Sequence, residues 1–265
     1  MSRPPSKPND PLDESFHGNG TTFVNLCLIT HDHTVPGGSS RERTRRLPPY
    51  SRNPCCSVLF DHKLSNVPDE LGEPTIIALL ARSNRLGSDK RVTNFAGGNT
   101  SAKLTLPDPI TGTPTRVLAV KGSGGDLGTM SVAGLAFLDL DRVQALENVH
   151  AAGVHEDDIV AYYEYCRFGH GGAVPSIDTP LHAFVGNDHV DHLHPDSMIA
   201  LAAAADSEAL VAACYGNDVG WLPWKRPGFE LGLALRDFQR RSPAARGAVL
   251  QGHGMICWAD SSDEC

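Results

Sequence analysis

The stretch Leu181–Asp206, "LHAFVGNDHVDHLHPDSMIALAAAAD", changes character halfway along. Its first part, "LHAFVGNDHVDHLH", reads as a strand or strand-turn. Its second part, "PDSMIALAAAAD", reads as a helix, with Pro195 early in it and Asp206 after the alanines. A strand passing into a helix is a building unit of α/β and α+β folds. The same alternation extends outward in both directions. Upstream, "EPTIIALLARSNRLG" has apolar residues at Ile76, Ile77, Leu80 and Leu86, Pro74 for a first turn and Gly87 for a stop, which predicts a helix. "RVLAVKGSGG" reads as a strand entering a glycine-rich turn, "GLAFLDLD" as a strand and "DDIVAYYEYCRF" as a helix. Downstream, "SEALVAACYG" and "GFELGLALRDFQRR" read as helices, and "GAVLQGHGMICWAD" as one strand interrupted by "GHG". No internal repeat is present.

The 265 residues are ample for one sizeable core, and 40% hydrophobic with 20% charged residues is ordinary for a soluble globular chain. A formal net charge of -8 argues against binding nucleic acid or an anionic membrane through overall charge. It leaves room for a local basic pocket that takes a phosphorylated small molecule. No apolar run approaches the roughly 20 residues of a membrane helix, and "FVNLCLIT" does not have the setting of a signal peptide. Seven cysteines without CxxC spacing predict reduced thiols and a cytoplasmic protein. Residues 1–65 differ: "MSRPPSKPND" and "VPGGSSRERTRRLPPYSRNP" lack periodicity, which predicts a disordered extension ahead of one domain over 66–265. The "HDH" at His31–His33 lies there with no flanking strand to hold it.

Three constellations carry possible chemistry. In a strand, His192 and His194 project from one face, so two imidazoles converge on a point where a zinc-type ion can sit. For an HxH pair alone, a solvated strand end is an equally good reading. His253, between Gly252 and Gly254, is a candidate third ligand, or a core histidine bonded to a carbonyl. Three histidines with one open position are the arrangement of a catalytic zinc. Second, Gly98, Asn99, Thr100 and Ser101, and then Lys121, Gly122, Ser123 and Gly124, form two turns of the kind that cradle an anion. Third, Asp178 in "PSIDTPLHAF" is either a general acid/base beside a metal or the N-cap of a helix, or both. His182 reads as structural, and His189, Asp191 and Asp196 as local structure. "HLHPDS" also matches H-x-H-x-D-H of metallo-hydrolases up to Ser197, which stands where the pattern needs histidine.

Taken in order, Gly98-Asn99-Thr100-Ser101, Lys121-Gly122-Ser123-Gly124, Ser176-Ile177-Asp178, His192-x-His194 and His253-Gly254 resemble the class II aldolase/adducin head family. The longer strings "LGSDKRVTNFAGGNTSAK", "VKGSGGDLGTM" and "WLPWKRPGFELG" resemble the aldolase part of bifunctional rhamnulose-1-phosphate aldolase/short-chain dehydrogenase proteins. The resemblance runs from about residue 70 onward. It implies a three-layer α/β/α sandwich around a mostly antiparallel sheet, one zinc per chain and a homotetramer. It also implies cleavage of a ketose 1-phosphate, L-rhamnulose 1-phosphate, to dihydroxyacetone phosphate and L-lactaldehyde. It assigns zinc to His192, His194 and His253. It assigns acid/base work to Asp178, which stands where many members carry glutamate. Gly98, Asn99, Thr100, Lys121, Ser123, Gly124 and Ser176 are assigned to the phosphate and substrate. Ile177 replaces a second serine. The chain closes on "DSSDEC", so the resemblance predicts a domain truncated at its C-terminal helix. Without a G-x-G-x-x-G fingerprint, no NAD binding is expected. Two other classes stay open: an assembly module without catalysis, as adducin heads are, and a mononuclear metallo-hydrolase.

Overall fold

A computed structural model describes residues 73–95, 97–169 and 171–265. The expectations for residues 1–65, including His31 to His33, lie outside the described residues.

Among the described residues, seven strands form one sheet: β1 (Asn99–Pro107), β2 (Pro114–Lys121), β3 (Leu135–Asp139), β4 (His189–Leu193), β5 (Val219–Leu222), β6 (Gly247–Leu250) and β7 (Gly254–Ala259). Their spatial order is β3-β2-β1-β4-β7-β6-β5. Every neighbouring pair is antiparallel except β5 with β6. The helices are α1 (Pro74–Ser88), α2 (Leu140–Ala151), α3 (Glu156–Ile159), α4 (Thr179–Ala183), α5 (Asp196–Ala203), α6 (Ser207–Tyr215) and α7 (Phe229–Arg241).

Local chemistry starts several of these helices. Pro74 occupies the first turn of α1, and the Glu73 carboxylate accepts from the Thr75 amide at 3.4 Å. The Asp139 carboxylate accepts from the Arg142 amide at the start of α2 at 3.1 Å. Each cap satisfies a donor that the helix itself leaves unpaired.

Alternation along β2 builds two cores. Val117 and Ala119 pack with Ile76 and Leu79 of α1. Leu118 and Val120 pack with Val143 of α2, Tyr163 and Phe184. Further along the sheet, Val190, Leu250, Ile256 and Trp258 meet Leu181 of α4 and Leu231 and Leu235 of α7. On the α1 side, Val249 meets Met198 and Ala202 of α5 and Val211 of α6. Both faces of the sheet are therefore covered, in three layers. Each fully buried leucine contributes about 1.5–3 kcal/mol.

Several elements differ from the sequence expectation. The strand expected over Leu181–His194 is confined to His189–Leu193, because Leu181 to Ala183 belong to α4. Asp178, Thr179 and Pro180 start a helix ahead of it. "GAVLQGHGMICWAD" is not one interrupted strand. It is two antiparallel strands, β6 and β7, with His253 in the turn between them. "DDIVAYYEYCRF" begins as α3 but tightens to a 3-10 helix over Val160–Cys166. The strands β1 and β5 and the helix α2 carry no clear period in the sequence.

Candidate active site

The site forms where β4 ends beside the β6–β7 turn. His192 lies in β4, opposite Asn99 of β1 on one side and Ile256 of β7 on the other. Residues directly opposite in an antiparallel pair share a face, so Asn99 and His192 point the same way. His194 follows the strand by one residue, and His253 arrives from the turn. The Nε2 of His192 lies 3.0 Å from Nε2 of His194 and 3.2 Å from Nε2 of His253. The potential ligand atoms of all three lie within 4.8 Å of one another.

Two glycines make this convergence possible. A Cβ on Gly254 would stand 2.6 Å from Cδ2 of His194 and 2.7 Å from the Leu193 carbonyl oxygen, so only glycine admits that ring. Gly98 has φ +73, and a Cβ there would stand 3.0 Å from the His192 carbonyl oxygen. That conformation is open to glycine at no steric cost.

The hydrogen bonds decide the protonation of the central ring. His192 Nδ1 lies 2.9 Å from the Met255 carbonyl oxygen, which can only accept, so Nδ1 carries the hydrogen. Burial, with the neighbouring His194 adding to it, pushes the His192 pKa down to about 4. The ring is therefore neutral near pH 7 and its Nε2 presents a lone pair to the other two histidines. His253 is likewise pushed down to about 4, by burial first and then by His192 and His194. His194 is lowered by burial, against the pull of Asp178. One lone pair on His192 cannot accept well from two ring N–H groups at once. A single cation uses all three lone pairs. Nitrogens bound tetrahedrally at about 2.0–2.1 Å stand about 3.3–3.4 Å apart, close to the observed 3.0 and 3.2 Å. A carbonyl that holds the far nitrogen of a ligating histidine is the usual outer support of such a site. The three residues thus fit a divalent metal. Sequence reasoning did not find the Met255 carbonyl, because a backbone acceptor leaves no side-chain signal.

Asp178 joins them. It takes the N-cap position of α4, yet its side chain makes no capping hydrogen bond, so the capping role expected of it is not filled. Its Oδ1 is buried without a hydrogen-bond partner, as is Nδ1 of His253. Burial raises the Asp178 carboxyl above the usual carboxylate range, opposed by His253, His194 and Lys121. The influence of each of these groups on the carboxyl places Asp178 near His253, His194 and Lys121. Lys121, buried at the end of β2, is lowered by desolvation and raised by Asp178 and Asp126.

The other expected residues divide. Ser176 is buried, and its hydroxyl accepts from the Asp178 amide at 3.2 Å, which shapes the turn into α4. The turn after Lys121 docks on the segment leading to Ser176, through Ser123 N to the Val174 carbonyl at 2.7 Å. Gly122 N is taken by the Gly134 carbonyl at 2.9 Å. Ser123 and Gly124 themselves are exposed. Thr100 is a correction: its hydroxyl lies 2.7 Å from the Ser83 hydroxyl of α1, on the opposite face of the sheet from the histidines. Neighbouring residues in a strand point to opposite faces, so Asn99 and Thr100 cannot both reach the site. His182 is fully buried, with its Nδ1 2.8 Å from the Ser101 hydroxyl and its Nε2 without a hydrogen-bond partner. His189 and Asp191 face α1, and Asp196 is exposed in the first turn of α5.

A family model for the class II aldolase and adducin N-terminal domain matches residues 78–265. The chain belongs to this family. Its class II aldolase fold is shared with the N-terminal class II aldolase domain of a conserved protein from Thermoplasma acidophilum, at TM-score 0.65 and 29% identity over 71% of this chain and 85% of that one. YgbL from Klebsiella pneumoniae has the same fold at TM-score 0.50, with 19% identity over 72% of this chain and 81% of its own. The uncharacterized oxidoreductase YuxG of Bacillus subtilis (strain 168) is 37% identical over 187 residues, 71% of this chain. This chain spans 27% of the length of YuxG, so that name describes a much longer protein. Class II aldolases are metal-dependent lyases, and the three histidines supply this chain with a possible metal site. Among the described residues, no helix is long and apolar enough to cross a membrane.

Proposed function

We propose that this chain is a zinc-dependent aldehyde-lyase that cleaves L-rhamnulose 1-phosphate to dihydroxyacetone phosphate and L-lactaldehyde. One observation carries the reading: three neutral imidazoles converge, and near them the Asp178 carboxyl keeps one oxygen, Oδ1, buried without a hydrogen-bond partner. His192, His194 and His253 would hold the zinc. When bound, the ion supplies Lewis-acid polarisation of a substrate carbonyl and neutralises charge developing there.

The chain's own residues do the rest. Asp178, raised by burial, is suited to take a proton and to return it at the carbon that keeps the electron pair when the carbon–carbon bond breaks. Asn99, opposite His192 in the sheet, Gly98 beside it and Ser176, whose hydroxyl accepts from the Asp178 amide, are the neighbouring groups assigned in this proposal to the substrate. With the Gly122 and Ser123 amides already engaged, the Lys121 turn offers the phosphate its Ser123 hydroxyl, the Gly124 amide and the Lys121 ammonium. We carry into the same proposal a sugar-phosphate partner, a homotetramer, a cytoplasmic location and residues 1–65 as an extension to one domain over 66–265.

The test uses the purified full chain. Metal content and retro-aldol cleavage of L-rhamnulose 1-phosphate are measured on wild type and on His192→Ala. Loss of one zinc equivalent together with loss of cleavage supports the reading. Equal metal content in the two proteins sinks the histidine site. Metal that depends on His192, without cleavage of any ketose 1-phosphate, favours the assembly-module reading instead.

A further inference from the structure

Behind the histidines, on the other face of the sheet, a second set of donor atoms comes together. Asp191 precedes His192 in β4, so its side chain points the opposite way, toward α1. Its register partner on β7 is Cys257. After β7 the chain folds back through a turn, closed by Cys265 N on the Ser261 carbonyl at 3.2 Å and by the Ser261 hydroxyl on Glu264 at 2.9 Å. This return brings Cys265 to Cys257. A carboxylate oxygen of Asp191 and the Sγ atoms of Cys257 and Cys265 lie within 4.8 Å of one another. Asp191 is buried and both cysteines are half-buried. Cys257 Sγ lies 3.7 Å from the Asp191 carbonyl oxygen and 3.8 Å from the Cys265 oxygen, and Cys265 Sγ lies 3.9 Å from the Cys257 carbonyl oxygen. The Cys265 thiol also hydrogen-bonds with Cys257 and with the Asp191 carboxylate, and the Cys257 bond, with burial, pushes it well above the usual thiol range when no metal is bound.

We propose that Asp191, Cys257 and Cys265 form a second metal site, for a thiophilic divalent ion such as zinc, back to back with the histidine set across the sheet. Two sulfur donors select such an ion over magnesium or calcium. Charge also balances. Two thiolates and one carboxylate against the Arg82 guanidinium leave a surplus of two negative charges, which one divalent ion cancels. Arg82 does not block the site. Its Nε holds the Asp191 carboxylate at 3.1 Å, and a carboxylate has lone pairs left for a metal after accepting from one arginine. Ligating carboxylates are normally oriented by an outer hydrogen bond of this kind. Arg82 is itself fixed, by His189 Nδ1 at 3.0 Å, the Ser101 carbonyl at 2.9 Å and the Ser262 hydroxyl at 2.6 Å. A water molecule would complete a tetrahedral set. Binding replaces two S–H protons, which pass to solvent, so affinity rises with pH. The bound ion would tie β4, β7 and the Ser261–Cys265 turn together, a structural task separate from catalysis.

Cobalt(II) loading of the full chain under reducing conditions reads both sites. The expected result is about two ions per chain and a thiolate-to-cobalt charge-transfer band, which histidine ligands alone do not give. Substituting Cys257→Ser and Cys265→Ser together removes the band and about one ion, and leaves the ion that depends on His192. His192→Ala does the reverse. A wild-type spectrum without the thiolate band overturns the proposal, and that result needs no variant to fold. So does unchanged metal content in the double variant, or a Cys257–Cys265 disulfide in the protein prepared with reductant. The two sites fail independently: the thiolate band persists even if His192→Ala changes nothing.

Discussion

Asp191 and His192 are neighbours in one strand and meet opposite fates. Asp191 faces α1, where Arg82 donates to it and also to His189, Ser101 and Ser262. His192 faces the other way, where His253 Nδ1 and Asp178 Oδ1 are buried without partners and three imidazole nitrogens crowd one point. On the first face the guanidinium and its acceptors satisfy one another. On the second, polar atoms are held in place with bonds still to make. A buried polar group left unpaired costs free energy, so a fold that keeps several together is poised for something that binds there. The difference between the faces separates framework from chemistry.

That contrast can be broken at either end. The largest effect is expected from Arg82→Met, which strands the Asp191 carboxylate: unfolding in denaturant should show a loss of about 3–5 kcal/mol, with kcat of the folded fraction nearly unchanged. A large loss of kcat with intact stability would erase the distinction between the faces. Asp178→Asn should behave in the opposite way. Turnover falls by about 10²–10⁴-fold, the range for a lost general acid/base, while the zinc that depends on His192 stays bound. His192→Ala should lower turnover by at least the about 10²–10³-fold lost with one preorganised electrostatic donor, together with that zinc.

The pH dependence of stability sharpens the comparison further. His192 and His253 titrate at about 4 in the folded chain, against about 6.5 in an unfolded one. The unfolded state therefore binds more protons below 6.5. Metal-free protein should lose stability as pH falls from about 6.5 to about 4, by about 3 kcal/mol for each of the two histidines. Calorimetry across that window checks it, and a His192→Ala variant should lose much of the slope. The smallest effect is expected from Thr100→Val. It breaks only the hydroxyl contact with Ser83 on the framework face, costs about 1 kcal/mol in stability, and leaves the KM for the sugar phosphate unchanged. A raised KM would place Thr100 back among the substrate contacts.

Much of this was legible in the chain itself. Pro74, the apolar spacing through Leu86 and the alanines before Asp206 announced their helices, because capping and periodicity are local. The strings around Gly98, Lys121, Asp178, His192 and His253 pointed to the family, and three of their histidines meet at one point in the fold. What failed was non-local. β1 lacks a clean alternation because Lys103 turns its long stem inward, with its ammonium held by the Val185 carbonyl at 2.6 Å. The segment with His253 read as one strand because a tight hairpin between two buried strands looks like a single apolar run. Thr100 sat inside a convincing glycine-rich motif, yet strand parity put it on the far face.

The sequence by itself determined which side chains are available and the local elements that carry them, since both depend on residues close together in the chain. Only the tertiary structure decided which face each residue takes, that the Met255 carbonyl sets the tautomer of His192, and that Cys265 returns to Cys257 beside Asp191. Those outcomes rest on strand register and chain reversal, and these are settled by contacts between residues far apart in the sequence.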